Sequence, residues 1–290
     1  MQGNLCHQAG ILYVGRHRTD AWIAAYDLDG RALATRFRFT DESEGRSAVG
    51  GLAMDGDHRL WVADTPAKKL RAFTLFGQEV ATVGEEQDQL DDLQGRIGTP
   101  VDVLARGADE ELEVWVASGG VRRHGLHCMR PTLGQALSLR PEGNPRARFR
   151  RLRALAQVEK VTYALEGGAE RVQVFRGLEH HYSLCLARYC GAGSEPTALA
   201  ALPDGRLVVA IEGAAGAVLL LDRSGGLERV LAESGSDTGQ VQYPSALVAV
   251  GEQDLVDGGP ARIFCLDQDG ERVQVFSIEG HCYGAFPELL

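Results

Sequence analysis

The sequence predicts an all-β protein: a six-bladed β-propeller of four-stranded antiparallel blades. Three observations predict it. Short apolar runs of four to six residues are separated by Gly- and Asp-rich turns. A unit recurs six times at spacings of 45 to 54 residues and uses up the 290-residue chain. No ten-residue helical segment intervenes between the runs, which excludes a βαβ arrangement.

The clearest unit runs from Gly51-Leu52-Ala53-Met54-Asp55-Gly56-Asp57 through Leu60-Trp61-Val62-Ala63-Asp64 to Leu70-Arg71-Ala72-Phe73 and Phe76-Gly77-Gln78-Glu79-Val80. It reads as four strands and three turns, with Gly and Asp where hairpins need positive φ. Its first half returns at Pro196 to Ala210 and its second at Val218 to Leu227. Other copies hold Ile11-Leu12-Tyr13-Val14 with Trp22 to Arg31, Pro100 to Leu104 with Leu112 to Ala117, and Val161 to Glu166 with Arg171 to Phe175. The last runs from Pro244 to Glu271. Val14, Ala63, Ala117, Ala164, Ala210 and Leu255 mark the period.

The blades are therefore expected near 3–40, 48–85, 98–140, 149–188, 194–234 and 243–280, in one domain covering 1–290. A twisted four-stranded sheet cannot cover both its faces alone, whereas radial packing covers every face and shortens the exposed edges. A seventh blade would need a unit for which no room remains. The segment after Gly280 is available as a closing strand, and strand exchange between the ends of the ring stays open.

The formal charge of −10 argues against general binding to nucleic acid or anionic membranes. No apolar run reaches the roughly 18 residues of a membrane span. The first residues lack the basic start and apolar stretch of a secretion signal, so a cytoplasmic location is expected. Six cysteines without a C-x-x-C pair, in a chain too large to need disulfide staples, are expected as free thiols.

Asp57 through Asp64 followed by Leu70-Arg71-Ala72-Phe73 resembles the NHL repeat. That family pairs a Pro-led inner strand and Asp-Gly with an apolar-Val-Ala-Asp strand, then an Arg-Ile/Val-x-x-Phe strand and a Gly turn. Arg171-Val172-Gln173-Val174-Phe175 and Arg262-Ile263-Phe264 share the pattern, and copies one and three depart from it. The resemblance implies a six-bladed propeller whose members include protein scaffolds and RNA binders. Related six-bladed folds include calcium-dependent lactonases and zinc-dependent lyases. Fold alone does not choose among them.

Motifs for a nucleophile elbow, a phosphate loop or a dinucleotide fingerprint are absent from the sequence. The lactonase resemblance implies a calcium held by a Glu with several Asn or Asp, yet the chain has two Asn, Asn4 and Asn144. His124-x-x-His127-Cys128 and His180-His181 are the only histidine clusters, and Arg122 and Arg123 oppose a cation at the first. No catalytic residue, metal ligand or cofactor is assigned on these grounds.

Two binding regions are expected. The loops joining second and third strands open on one face, beginning near Arg16, Asp64, Glu166, Glu212 and Asp257. Four of these residues are carboxylates, which suit a cation or basic peptide, or alternatively cap their own turns. The second region is residues 122–153, with nine Arg and one acid, while the rest of the chain carries 21 basic and 39 acidic residues, or −18. Arg122, Arg123, Arg146, Arg148 and Arg150 suit an acidic protein partner. RNA is the lesser choice, because Phe149 is the one aromatic available for base stacking. The resulting expectation is a non-enzymatic interaction or scaffold module. The alternatives are a calcium- or zinc-dependent lactonase- or lyase-like enzyme at the channel mouth, and an RNA-binding propeller.

Overall fold

The computed structural model describes residues 2–17, 21–40, 47–84, 97–119, 125–133, 135–139, 148–214, 216–255, 258–267 and 272–286. They form a six-bladed β-propeller of antiparallel sheets with no α-helix among the described residues. Within each blade the strands pair in chain order. Blade 1 holds Gln2–Gln8, Ile11–His17, Ala21–Asp27 and Ala32–Phe39; blade 2 holds Val49–Met54, Leu60–Asp64, Lys69–Phe73 and Glu79–Gly84. Blade 3 holds Thr99–Arg106, Glu113–Gly119, Gly125–Arg130 and Gln135–Leu139; blade 4 holds Leu152–Val158, Val161–Glu166, Arg171–Arg176 and Glu179–Cys185. Blade 5 holds Glu195–Ala201, Leu207–Glu212, Ala217–Leu221 and Leu227–Ser234, with Gln240–Val241 added in parallel. Blade 6 holds Pro244–Val250, Arg262–Asp267, Arg272–Ser277 and Cys282–Phe286.

Blade 6 departs from the sequence reading. Its second strand is Arg262–Asp267, which the repeat marker at Leu255 had placed one strand too early. A single 3-10 turn, Glu252–Asp254, lies in the long connector before it. The segment after Gly280 is the fourth strand of the same blade, so no other blade borrows it.

The hairpins explain why such short strands hold. Residues 27–31, 74–78, 222–226 and 277–281 close the third and fourth strands with one recurring turn. The first residue, Asp27, Thr74, Asp222 or Ser277, accepts the backbone N–H of the fifth through its side-chain oxygen. The fourth residue is always a glycine, Gly30, Gly77, Gly225 or Gly280, at φ between 82° and 85°. A side chain there would be strained by the left-handed backbone.

Burial follows strand position. Second and third strands are almost wholly buried, as in Leu60–Asp64 and Ala217–Leu221, while fourth strands such as Glu79–Gly84 alternate toward solvent. Contacts divide the chain into two compact units. The first comprises Met1–Cys6, Tyr13–Ala25 and Leu33–Ala154; the second comprises His7–Leu12, Tyr26–Ala32 and Leu155–Leu290. In the first unit Trp61, Ala63, Leu70 and Ala72 of blade 2 pack with Val103, Val114 and Val116 of blade 3. In the second, Val208, Ala210, Val218 and Leu220 of blade 5 share a core with Leu247, Ile263, Cys265 and Phe276 of blade 6. Each such side chain contributes about 1.5–3 kcal/mol on burial, with alanines contributing less. Also in the second unit, Gly30 of blade 1 lies under the Phe286 ring and Tyr26 contacts that ring at 5.4 Å.

Candidate functional site

The carboxylates that end the second strands of blades 2, 4 and 6 are not presented to solvent. Asp64 is fully buried. Its Oδ1 accepts the Ala48 N–H at 3.1 Å, at the entry to the blade's own first strand, and its Oδ2 lies 3.2 Å from Arg71 Nη1. Arg71 is itself buried, donates to the Thr40 carbonyl at 3.2 Å and to Glu79 at 3.0 Å, and lies over the Phe39 and Phe73 rings. Blade 6 repeats the device. Asp267 accepts the N–H groups of Gln242 and Tyr243 at 3.2 and 3.0 Å and pairs with Arg272 at 3.3 Å. In blade 4, Glu166 accepts from Arg171 Nε and Gln173 Nε2, each at 2.6 Å.

The local sequence produces this clasp. Asp64, Glu166 and Asp267 are each followed five residues later by a cation (Lys69, Arg171 or Arg272) and seven later by a polar residue (Arg71, Gln173 or Gln274). The antiparallel register sets the acid opposite the cation directly and the polar residue two positions up the third strand. A buried charge is tolerated when paired and hydrogen-bonded, and the clasp supplies both.

Two blades vary it. In blade 3 the acid becomes Ser118 and the third-strand residue becomes His127, fully buried. The His127 Nε2 lies 2.7 Å from Ser118 Oγ and its Nδ1 lies 2.7 Å from Ser138 Oγ, a hydrogen-bonded chain across three strands. In blade 5 the position is Ile211, opposite Pro196 as Asp267 is opposite Pro244. Glu212 therefore stands one place further, half-buried, and directly across from Glu195. Glu212 and Asp64 were both expected at the start of the second-to-third-strand loops, yet the register makes Ile211 the counterpart of Asp64.

The other expected residues are placed as follows. Arg16 lies within the second strand of blade 1, half-buried, with its guanidinium 5.6 Å from the centre of the Trp22 ring. Asp257 falls in the chain between the first two strands of blade 6 and lies outside the described residues, so the carboxylate at the corresponding strand end is Asp267. Arg122, Arg123 and Arg146 also lie outside the described residues. Arg148, Arg150 and Arg151 are exposed at the entry to the first strand of blade 4. Phe149 and Leu152 are buried among them, so the core fixes the backbone from which the arginines project. Arg130, in the same basic stretch, is held by Glu113 at 2.6 Å, and Arg106 Nε meets that carboxylate at 2.9 Å. Burial pushes the Glu113 carboxyl up, but hydrogen bonds from Arg130 and Arg106 outweigh it and hold it below the usual range.

Nothing in the repeat pattern points to the inner-strand pair Asn4 and Asp102. Asn4 Nδ2 donates to the Gly50 carbonyl at 2.9 Å and to Asp102 Oδ1 at 3.3 Å, joining the first strands of blades 1, 2 and 3. An open pocket of about 400 Å³ in blade 5 is lined by Asp204, Arg206, Asp222, Arg223, Ser224 and Glu228. There Arg206 is already bridged to Asp204 and Glu228, at 2.8 and 3.3 Å. All six cysteines are unpaired. Burial pushes the Cys128 and Cys190 thiols up to about 11 and raises Cys6 and Cys265 further, so these four are protonated at neutral pH. Among the described residues no three His, Cys, Asp or Glu side chains converge as a metal-ligand set, and no helix is long and apolar enough to cross a membrane.

No family model and no curated protein matches the chain. Solved structures match its fold. The propeller in a nidogen/laminin complex aligns at 15% identity and a TM-score of 0.62, over 96% of this chain and 93% of that one. Virginiamycin B lyase from Staphylococcus aureus aligns at 11% identity and a TM-score of 0.61, over 99% of this chain and 84% of that one. A protein of unknown function from Bacteroides caccae aligns at 14% identity and a TM-score of 0.58, over 95% and 92%. These likenesses establish the six-bladed propeller fold and nothing finer.

Proposed function

We propose that the chain is a non-enzymatic, NHL-like propeller in one domain that docks an acidic protein partner through its arginine-rich segment. The observation that carries this reading is the row of exposed Arg148, Arg150 and Arg151, fixed in place by the buried Phe149 and Leu152. Guanidinium groups on an anchored backbone recognise carboxylates in pairs and lose little freedom on binding. The clasped carboxylates support the same reading, since Asp64 and Glu166 spend their oxygens within their own blades. The nidogen/laminin structure supplies a fold-level precedent for a propeller in a protein complex.

The test is fluorescence anisotropy with labelled polyglutamate and with single-stranded RNA of equal charge. The wild-type chain is expected to bind polyglutamate, with affinity falling as salt rises, and R148E/R150E/R151E is expected to lose it. Equal binding by the variant would overturn the reading, and a preference for RNA would replace the partner class.

One observation favours a metal-dependent lactonase- or lyase-like activity instead. Glu195 and Glu212 are register partners across neighbouring strands, which sets two carboxylates on one face where they could share a cation. Two carboxylates are fewer ligands than zinc or calcium requires, so no catalytic step follows from the pair. Elemental mass spectrometry of the purified chain decides the matter: about one calcium or zinc per chain, lost in E212Q, would favour this second reading.

A further inference from the structure

Blade 5 closes its third and fourth strands with Asp222-Arg223-Ser224-Gly225-Gly226, a sister of the turns at 27–31, 74–78 and 277–281. Two positions of the motif set this blade apart. The second turn residue is Leu28, Leu75 or Ile278 in the sisters and Arg223 in blade 5. The seventh residue, on the outgoing fourth strand, is Leu33, Val80 or Tyr283 in the sisters and Glu228 in blade 5. Both exchanges put a charge where an apolar side chain stands elsewhere. Both charges line the open pocket of about 400 Å³, together with Asp204, Arg206, Asp222 and Ser224.

The hydrogen bonds divide the pocket into two parts. Arg206 donates through Nε to Asp204 Oδ2 at 2.8 Å and through Nη1 to Glu228 Oε2 at 3.3 Å, so two carboxylates share one guanidinium. Arg59 and Asp57 of blade 2 form the same pair as Arg206 and Asp204, at 2.6 Å, so Glu228 is the addition that leaves this part negative. Asp222 spends its Oδ1 on the Ser224 N–H, the Ser224 hydroxyl and the Gly226 N–H, at 2.7, 2.7 and 2.8 Å. The Arg223 stem runs past Gly205, 3.4 to 3.7 Å from where a Cβ there would stand. Among the described residues the Arg223 guanidinium has no hydrogen bond or ion pair. A lone anion drawn to Arg223 would also meet three carboxylates, and a lone cation would meet two guanidiniums. A molecule that carries both charges avoids both penalties.

We propose that this pocket of blade 5 binds a small zwitterion, its carboxylate on Arg223 and its ammonium on the side of Asp204 and Glu228. The site is separate from the arginine-rich segment and from the acidic partner proposed for it. The experiment is titration by saturation-transfer NMR with glycine, γ-aminobutyrate and ε-aminocaproate, beside acetate and propylamine as probes of a single charge. Wild type is expected to bind at least one zwitterion about fivefold more tightly than either single-charge probe. R223L and E228V install the residues of the sister blade, Leu75 and Val80, and each is expected to lose that preference at an unchanged melting temperature. R223Q and E228Q, which remove charge alone, are expected to lose it as well. R148E/R150E/R151E is expected to keep it. No zwitterion bound, equal binding of zwitterions and single-charge probes, or the wild-type preference in either R223Q or E228Q overturns the proposal. Loss of the preference in R148E/R150E/R151E overturns it too, by moving the site off blade 5.

Discussion

Inside blade 2 the Asp64 carboxylate meets the Arg71 guanidinium at 3.2 Å, and neither group is open to water. The same guanidinium reaches the Thr40 carbonyl and Glu79, so the pair ties three segments together. Asp64→Ala leaves a buried cation partly compensated and the Ala48 N–H without its acceptor. It is expected to lower unfolding stability by about 3 kcal/mol. Asp64→Asn keeps an acceptor for Ala48 and is expected to cost about half as much. Urea denaturation followed by circular dichroism reads both, and an unchanged midpoint for Asp64→Ala would remove the clasp from the stability argument.

Glu113 makes stability depend on acid. Its carboxyl titrates below the ordinary range in the folded chain, because hydrogen bonds from Arg130 and Arg106 outweigh the effect of burial. A depressed carboxyl contributes stability that is complete above its unfolded pKa of about 4.3 and fades as pH falls through the folded value. The stability difference between wild type and E113Q is expected to be flat from about pH 7 to pH 5 and to shrink below about pH 4. A difference that grows on acidification would contradict the sign.

His127 holds two hydroxyls, the buried Ser118 and the half-buried Ser138, at 2.7 Å each. Its register partners in blades 4 and 6 are Gln173 and Gln274. His127→Leu leaves the hydroxyls without that partner and is expected to cost about 1–3 kcal/mol. His127→Gln is expected to cost less than half of that, since an amide can donate and accept along the same chain. Thermal melts of the two variants separate hydrogen bonding from volume, and equal losses would assign the role to packing.

Glu212 faces Glu195. Glu212→Gln removes one of two like charges and is expected to raise stability by about 0.2–1 kcal/mol without added metal. The control is the same melt with millimolar calcium. A calcium-dependent rise in wild type that E212Q lacks would locate a cation at this pair, and no shift in either chain would leave simple repulsion.

The hairpin turns were legible in the sequence because they are local: one five-residue pattern carries both the Asx-type acceptor and the glycine. The blade count followed from them. The clasp was not legible as such, because Asp64, Glu166 and Glu212 all stand near the start of a loop, whereas the register groups Asp64 with Glu166 and leaves Glu212 out. The strand pairing of blade 5 sets Ile211 opposite Pro196 and moves Glu212 to the other side of the strand. Blade 6 misled for another reason. Its long connector carries Gly258 and Gly259 where a hairpin turn was expected, and the strand itself begins at Arg262. Among the basic residues, composition showed the cluster but not that Glu113 already occupies Arg130.

The packing of Gly30 and Tyr26 against Phe286 links positions 256 to 260 residues apart in the chain. During synthesis at about 5–20 residues per second, the early turn emerges on the order of 10 to 50 s before its partner ring. For that interval the face beneath Gly30 lacks its cover and is open to chaperones or to a neighbouring nascent chain. A ribosome-stalled fragment ending before Phe286 is therefore the species in which this surface is most exposed to aggregation, and emergence of the strand that carries Phe286 ends that exposure.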